Sequence, residues 1–172
     1  MNLVISGLAR HHDRLDFDCG EPALNIFLQR LARQQADRDH SRTYVATAPG
    51  ESRIRGFYAV SSSSVNFENW PADLKLPRYP MPVARLGRLA VDVREQGSGV
   101  GAALLLHAMQ LTVQLAQHIG LFAVVVDAKN EAAAAFYERY GFGRFPDQKM
   151  SLFISTAVIR RALASHPSGA SH

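Results

Sequence analysis

Hydrophobic and polar positions along this chain fall into two rhythms, one of period two and one near 3.6, and they take turns. Leu3 to Leu8 predicts a short first strand. Glu21-Pro22 opens a helix, since a first-turn proline has no intrahelical N–H to lose. Leu24, Phe27, Leu28 and Leu31 form its expected inward stripe. The segment runs to about Asp39 and turns polar through Arg30, Arg33, Gln34, Gln35 and Arg38. Thr43–Thr47 and Ile54–Ser61 predict strands on either side of the turn Pro49-Gly50-Glu51-Ser52, the second extending into serines. Asn66 to Pro82 holds four prolines and Trp70, which predicts a loop, long enough to be a functional one.

Val83 to Val93 predicts the central strand, with Leu89, Val91 and Val93 alternating. Three glycines follow at every second position, Gly97, Gly99 and Gly101. A helix is expected from Ala102 to about Ile119, with Leu104, Ala108, Leu111, Leu115 and Ile119 on one face and Gly120 as its C-cap. Phe122 to Asp127 is a nearly continuous apolar run, the mark of a strand covered on both faces. Asn130 can cap the next helix, Glu131 suits its dipole, and Gly141 ends it. Phe142–Phe145 and Lys149–Ile154 predict closing strands, Ser155–Leu163 a short helix, and 165–172 a frayed, disordered tail. No linker or internal repeat divides the chain, so one α/β domain over 1–164 is expected.

Composition narrows the class. At 172 residues and 47% hydrophobic, the chain can bury a substantial core. No apolar run reaches the ~18 residues of a membrane span. The start, Met-Asn-Leu-Val-Ile-Ser, lacks the basic region and long apolar stretch of a signal peptide. A single cysteine, Cys19, excludes an internal disulfide and suits a reducing cytoplasm. No motif frames it as a nucleophile, and a small buried hydrophobe is the simpler reading. The net charge is +4, and the nineteen cations are sixteen Arg and three Lys. Arginine forks suit phosphate and stack on bases, but GC-rich coding explains the same bias, so charge alone decides nothing. The seven histidines show no metal-ligand spacing, so no metal is expected. Ser61–Ser64 lacks the elbow motif of a serine nucleophile.

The glycine turn carries the chemistry. Amides in a helix's first turn have no intrahelical partner, and the helix dipole favours negative charge there. A phosphate-bearing ligand is therefore expected at Gly99 to Ala102. Gly97-Ser-Gly-Val-Gly-Ala102 also satisfies the dinucleotide pattern G-x-G-x-x-A. That reading fails on spacing: Asp92, Arg94, Glu95 and Gln96 separate the apolar run from Gly97, and Asp127 lies thirty positions on rather than roughly 20.

Gln96-Gly-Ser-Gly-Val-Gly101 resembles the acyl-CoA pyrophosphate loop of the GNAT N-acetyltransferases, with Leu89-Ala90-Val91-Asp92 before it at the usual spacing. Val124-Val-Val-Asp-Ala-Lys-Asn130 and Ala135-Phe-Tyr-Glu-Arg-Tyr-Gly-Phe142 resemble that family's second half. The resemblance implies a GNAT fold: a mixed central sheet with splayed middle strands and flanking helices. It implies acetyl-CoA held by Gln96, Gly97, Ser98, Gly99, Val100, Gly101 and Ala102, by the strand backbone at Leu89, Ala90 and Val91, and by Asn130 and Phe136. Read from the residues alone, Tyr137 is more simply an aromatic packing residue like Phe136; the resemblance reverses that and implies Tyr137 as the acid that protonates the departing thiolate. Several GNAT enzymes place a glutamate base where this chain has Val125. A substrate amine already partly neutral would need no such base, and the α-amine of an aminoacyl ester is more acidic than lysine.

A narrower resemblance fits that substrate. Asp16-Phe-Asp-Cys-Gly-Glu-Pro-Ala-Leu-Asn-Ile-Phe-Leu28, Gly56-Phe-Tyr-Ala-Val-Ser61 and Leu86-Gly-Arg-Leu-Ala-Val-Asp92 resemble the TacT-type GNAT toxins. This implies acetylation of aminoacyl-tRNA, a ribbon-helix-helix antitoxin partner and a homodimer. Candidate tRNA contacts are Arg30, Arg33, Arg38, Arg78, Arg85 and Arg88, each of which is otherwise an ordinary solvated arginine. The alternatives are a general GNAT enzyme acting on a small amine or a protein N-terminus, and a silent acyl-CoA-binding module.

Overall fold

Both rhythms survive into the computed structural model, which describes residues 2–165. The elements are β1 (Val4–Gly7), α1 (Pro22–Ile26), a π-helical turn (Phe27–Leu31), α2 (Ala32–Asp37), β2 (Arg42–Thr47), β3 (Gly56–Val65), β4 (Met81–Val91), α3 (Val100–Leu115), β5 (Ala123–Asp127), α4 (Glu131–Arg139), β6 (Gly143–Arg144), β7 (Ser151–Ser155) and α5 (Thr156–Ser165). The fold is mixed α/β with a seven-stranded sheet. Contacts divide it into two units: residues up to Ser61 with Leu86–Ala108, and Ser62–Arg85 with the chain from Met109 on.

In the first unit the strand order is β1-β2-β3-β4. β1 pairs antiparallel with β2 (Val4 opposite Thr47), and β2 with β3 (Thr43 opposite Ala59). Phe17, Phe27, Leu28, Ala32, Val45, Ile54, Phe57, Ala59 and Ala90 form its core. Here the expected stripe needs a correction. Leu31 is exposed and Ala32 is fully buried. The Ala32 N–H donates to the Phe27 carbonyl, five residues back, so the π turn inserts one extra residue. The inward position after Leu28 thereby moves on by one, from Leu31 to Ala32.

The second unit carries β4-β5-β7-β6 in that order. β5 pairs antiparallel with β7 (Val125 opposite Phe153), and β6 with β7 (Gly143 opposite Phe153). As expected, β5 is covered on both faces: Ala123 to Val126 are all buried. The proline-rich excursion is irregular, with two short 3₁₀ turns at Phe67–Asn69 and Ala72–Leu74. Trp70 pins it. Its ring lies 5.2, 5.1 and 5.0 Å from those of Phe122, Phe145 and Phe153. Its Nε1–H donates to the Val65 carbonyl at 3.2 Å, so the indole is buried without an orphaned donor.

The predicted boundaries shift in three more places. β4 starts at Met81 and ends at Val91, which leaves Val93 exposed. α3 starts at Val100 and stops at Leu115, so Ile119 lies past its end and is exposed; Leu115 is exposed within the last turn, while Leu105, Met109 and Thr112 join Leu104 and Ala108 in the interior. Ser165 closes α5 rather than opening a tail, and the remainder of the expected tail, 166–172, lies outside the described residues.

Candidate active site

The turn between β4 and α3 is shaped by one buried carboxylate. Asp92 accepts from the Asp18 amide (3.1 Å), the Arg94 amide (2.9 Å) and the Arg94 guanidinium (Nε at 2.8 Å, Nη2 at 2.9 Å). Hydrogen bonds from Arg94 outweigh burial and pull its carboxyl down to about 2. Arg94 also reaches the Asp16 carboxylate at 2.9 Å. Gln96, expected to touch coenzyme, donates through Nε2 to the carbonyls of Val91 (3.1 Å) and Cys19 (3.3 Å), bracing the turn. Glu95 pairs with Arg53 and, at 3.8 Å, with Arg55.

Gly97 and Gly99 then take φ of +82° and +95°, a region that favours glycine. Val100 opens α3, and the first helical bond of the turn runs from the Ala103 amide to the Gly99 carbonyl at 3.1 Å. The amides of Val100, Gly101 and Ala102 therefore have no helical carbonyl to donate to. No acidic side chain sits in that first turn to repel an anion. Gly56 lets the helix start sit close to β3: a Cβ there would lie 2.9 Å from Val100 Cγ1 and Leu104 Cδ1 and 3.0 Å from the Ala90 carbonyl oxygen. The donor set fits a diphosphate. Leu89 to Val91 end β4, with Ala90 in the core of the first unit.

In the second unit, Asn130 caps α4, its Oδ1 accepting from the Ala133 amide at 2.8 Å. Tyr137 is buried near the helix end, its ring 5.3 Å from Phe136 and 5.6 Å from Phe142. Burial first, and then the negative charge of Asp127, push its phenol up to about 12. It is protonated at any physiological pH, as a proton donor must be. Asp127 in turn takes Arg85 Nη1 at 2.8 Å and Ser151 Oγ at 2.7 Å.

The candidate arginines have different surroundings. Arg88 stacks on Phe27, its guanidinium 3.9 Å from the ring centre. Arg78 lies 5.8 Å from the Phe67 ring, and Arg85 is paired with Asp127. Arg30 and Arg38 are exposed, and Arg33 lines a small surface pocket with Arg42 and Tyr44. Two features escape a reading of the sequence. One is the Asp16–Asp92–Arg94 brace, hinted at only by a carboxylate just after an apolar strand. The other is the Arg85–Asp127–Ser151 group, drawn from three separate stretches, for which no local signal exists.

The acetyltransferase (GNAT) domain family matches residues 39–144. The chain belongs to the GNAT acetyltransferases. Among GNAT relatives, it is 38% identical to a tRNA-acetylating toxin of Mycobacterium tuberculosis over 83% of this chain and 85% of that one. It is 30% identical to a probable toxin TacT of Sinorhizobium fredii over 87% and 88%. Its fold matches that of AtaT complexed with acetyl-methionyl-tRNAfMet, with a TM-score of 0.87 and 31% identity over 94% of this chain and 99% of that chain. AtaT is also known bound with acetyl-CoA and with the C-terminus of the antitoxin AtaR.

Proposed function

We propose that this GNAT chain transfers acetyl from acetyl-CoA to the α-amino group of aminoacyl-tRNA and is the toxin of a toxin–antitoxin pair. The observation that carries the reading is the turn at α3: three unpartnered amides behind two left-handed glycines, with no competing acid. The substrate is supported by the likeness, along most of the chain, to toxins named for tRNA acetylation or caught with acetylated tRNA.

Acetyl-CoA supplies an activated thioester acetyl group. The chain's residues do the rest. Amides of Val100, Gly101 and Ala102 hold the diphosphate, and the β4 backbone from Leu89 to Val91 aligns the pantetheine arm and polarises the thioester carbonyl. Tyr137 gives its phenolic proton to the departing thiolate. Where other GNAT enzymes carry a glutamate base, Val125 is buried and apolar. The substrate must therefore arrive with a partly neutral amine, which an aminoacyl ester provides. Exposed Arg30 and half-buried Arg88 offer cations to the tRNA backbone. A ribbon-helix-helix antitoxin, a homodimer and a cytoplasmic site of action complete the reading; among the described residues no helix is long and apolar enough to cross a membrane.

The test is incubation with acetyl-CoA and charged tRNA. N-acetylated aminoacyl ends are expected. Acetylation of free amines or peptides alone points to a general GNAT enzyme, and coenzyme binding without turnover to a silent module.

A further inference from the structure

A polar pocket of about 140 Å³ opens in the second unit beside the C-terminal end of β5. Asn66, Asn69, Arg85, Asp127, Gln148 and Ser151 line it, over the apolar side chain of Val125. With Ser64 it mixes one cation, one anion, amides and two hydroxyls, a lining suited to a group that carries both an amine and carbonyl or hydroxyl oxygens. The Asp127 side chain is 52% exposed. Each of its oxygens takes one protein donor, Arg85 Nη1 or Ser151 Oγ, and keeps a second lone pair for a ligand. The negative charge of Asp127 also acts on the Tyr137 phenol, which puts the pocket within electrostatic reach of the proposed acid.

We infer that this pocket receives the aminoacyl group of the acceptor, with Asp127 accepting a hydrogen bond from the α-amine and Arg85 serving as the positioning counter-charge of Asp127. This inference rests on the aminoacyl-tRNA reading and adds the contact that orients the nucleophile.

The ion pair has a chemical purpose. A lone carboxylate beside the amine would hold it as ammonium and block attack. With Arg85 at 2.8 Å the pair carries no net charge, so Asp127 orients the amine and penalises its neutral form little. As the new N–C bond forms and the C–S bond breaks, the nitrogen sheds one proton through Asp127 to solvent. The sulfur takes one from Tyr137, which solvent restores. Arg85, a candidate tRNA contact on sequence grounds, acquires a different role here.

Three measurements on the full chain test this. Asp127→Asn should lower kcat/KM for charged tRNA by about 10²-fold or more while the KM for acetyl-CoA stays unchanged. Arg85→Gln leaves Asp127 uncompensated, raises the pKa of the bound amine, and should move the rising limb of the kcat–pH profile to higher pH; a merely structural role would not move it. Wild-type protein should bind aminoacyl-tRNA at least about tenfold tighter than the same tRNA bearing the deaminated acyl group, because that group has no α-donor to give Asp127. Wild-type kcat/KM in Asp127→Asn, an unmoved pH limb in Arg85→Gln, or equal affinity for the two acylated tRNAs each overturns the inference. Failure of the wild-type protein to acetylate charged tRNA at all would instead overturn the aminoacyl-tRNA reading itself.

Discussion

The turn ahead of α3 offers a ligand main-chain amides, whereas the pocket at the end of β5 offers side chains. The turn spans a few consecutive residues, and its shape follows from two left-handed glycines and one buried carboxylate. The pocket draws Asn66, Arg85, Asp127 and Ser151 from well-separated stretches and depends on charge balance. Main-chain donors suit a ligand part that never changes, such as a coenzyme diphosphate. Side-chain donors suit one that varies or must change protonation.

That division predicts how each region fails. The largest effect belongs to the second unit: Tyr137→Phe should lower turnover about 10²–10⁴-fold with coenzyme affinity and Tm unchanged, measured by steady-state kinetics and calorimetry. Unchanged kinetics would remove Tyr137 from the chemistry. The next effects belong to the turn. Asp92→Asn should destabilise the fold by about 2 kcal/mol, because a buried carboxylate loses charge-assisted bonds. The pH dependence has a definite sign. The Asp92 carboxyl is depressed from 3.8 to about 2, so its contribution is full above about pH 4 and is lost as pH falls toward 2. Denaturant melts across that window should therefore lose the difference between wild type and variant as the pH drops.

Gly56→Ala tests whether the seat of α3 sets the grip on the coenzyme. Its Cβ would press on Val100, Leu104 and the Ala90 carbonyl, so stability should fall by about 1–3 kcal/mol and coenzyme affinity should fall with it. Lost stability with full affinity would uncouple the two. The smallest effect is expected at an exposed cation: Arg30→Ala should weaken tRNA binding a few-fold and reduce the salt slope by about one phosphate contact, with acetyl-CoA affinity untouched.

Much of this was legible in the residues. Strand and helix alternation, the Asn130 cap, the double coverage of β5 and the glycine turn depend on neighbours a few positions apart. Local rules miss the π turn. Leu31 has the apolar character and spacing of an inward residue, yet one inserted residue hands its place to Ala32. They also overextend α3, because Ile119 continues the periodic stripe past the helix end at Leu115 and is exposed. The arginines illustrate the same limit. Composition singles them out alike, but Arg88 lies on Phe27, Arg85 neutralises Asp127, and Arg30 stays free to meet solvent.

By itself the sequence determined the order of elements, the family and the glycine turn ahead of α3, because hydrophobic period, capping and glycine φ are properties of short stretches. Only the tertiary structure decided which carboxylate is buried under Arg94, which is left open beside Arg85, and how far the Tyr137 phenol is raised. Those depend on dielectric and on charges brought together from distant positions, and no short stretch of chain contains them.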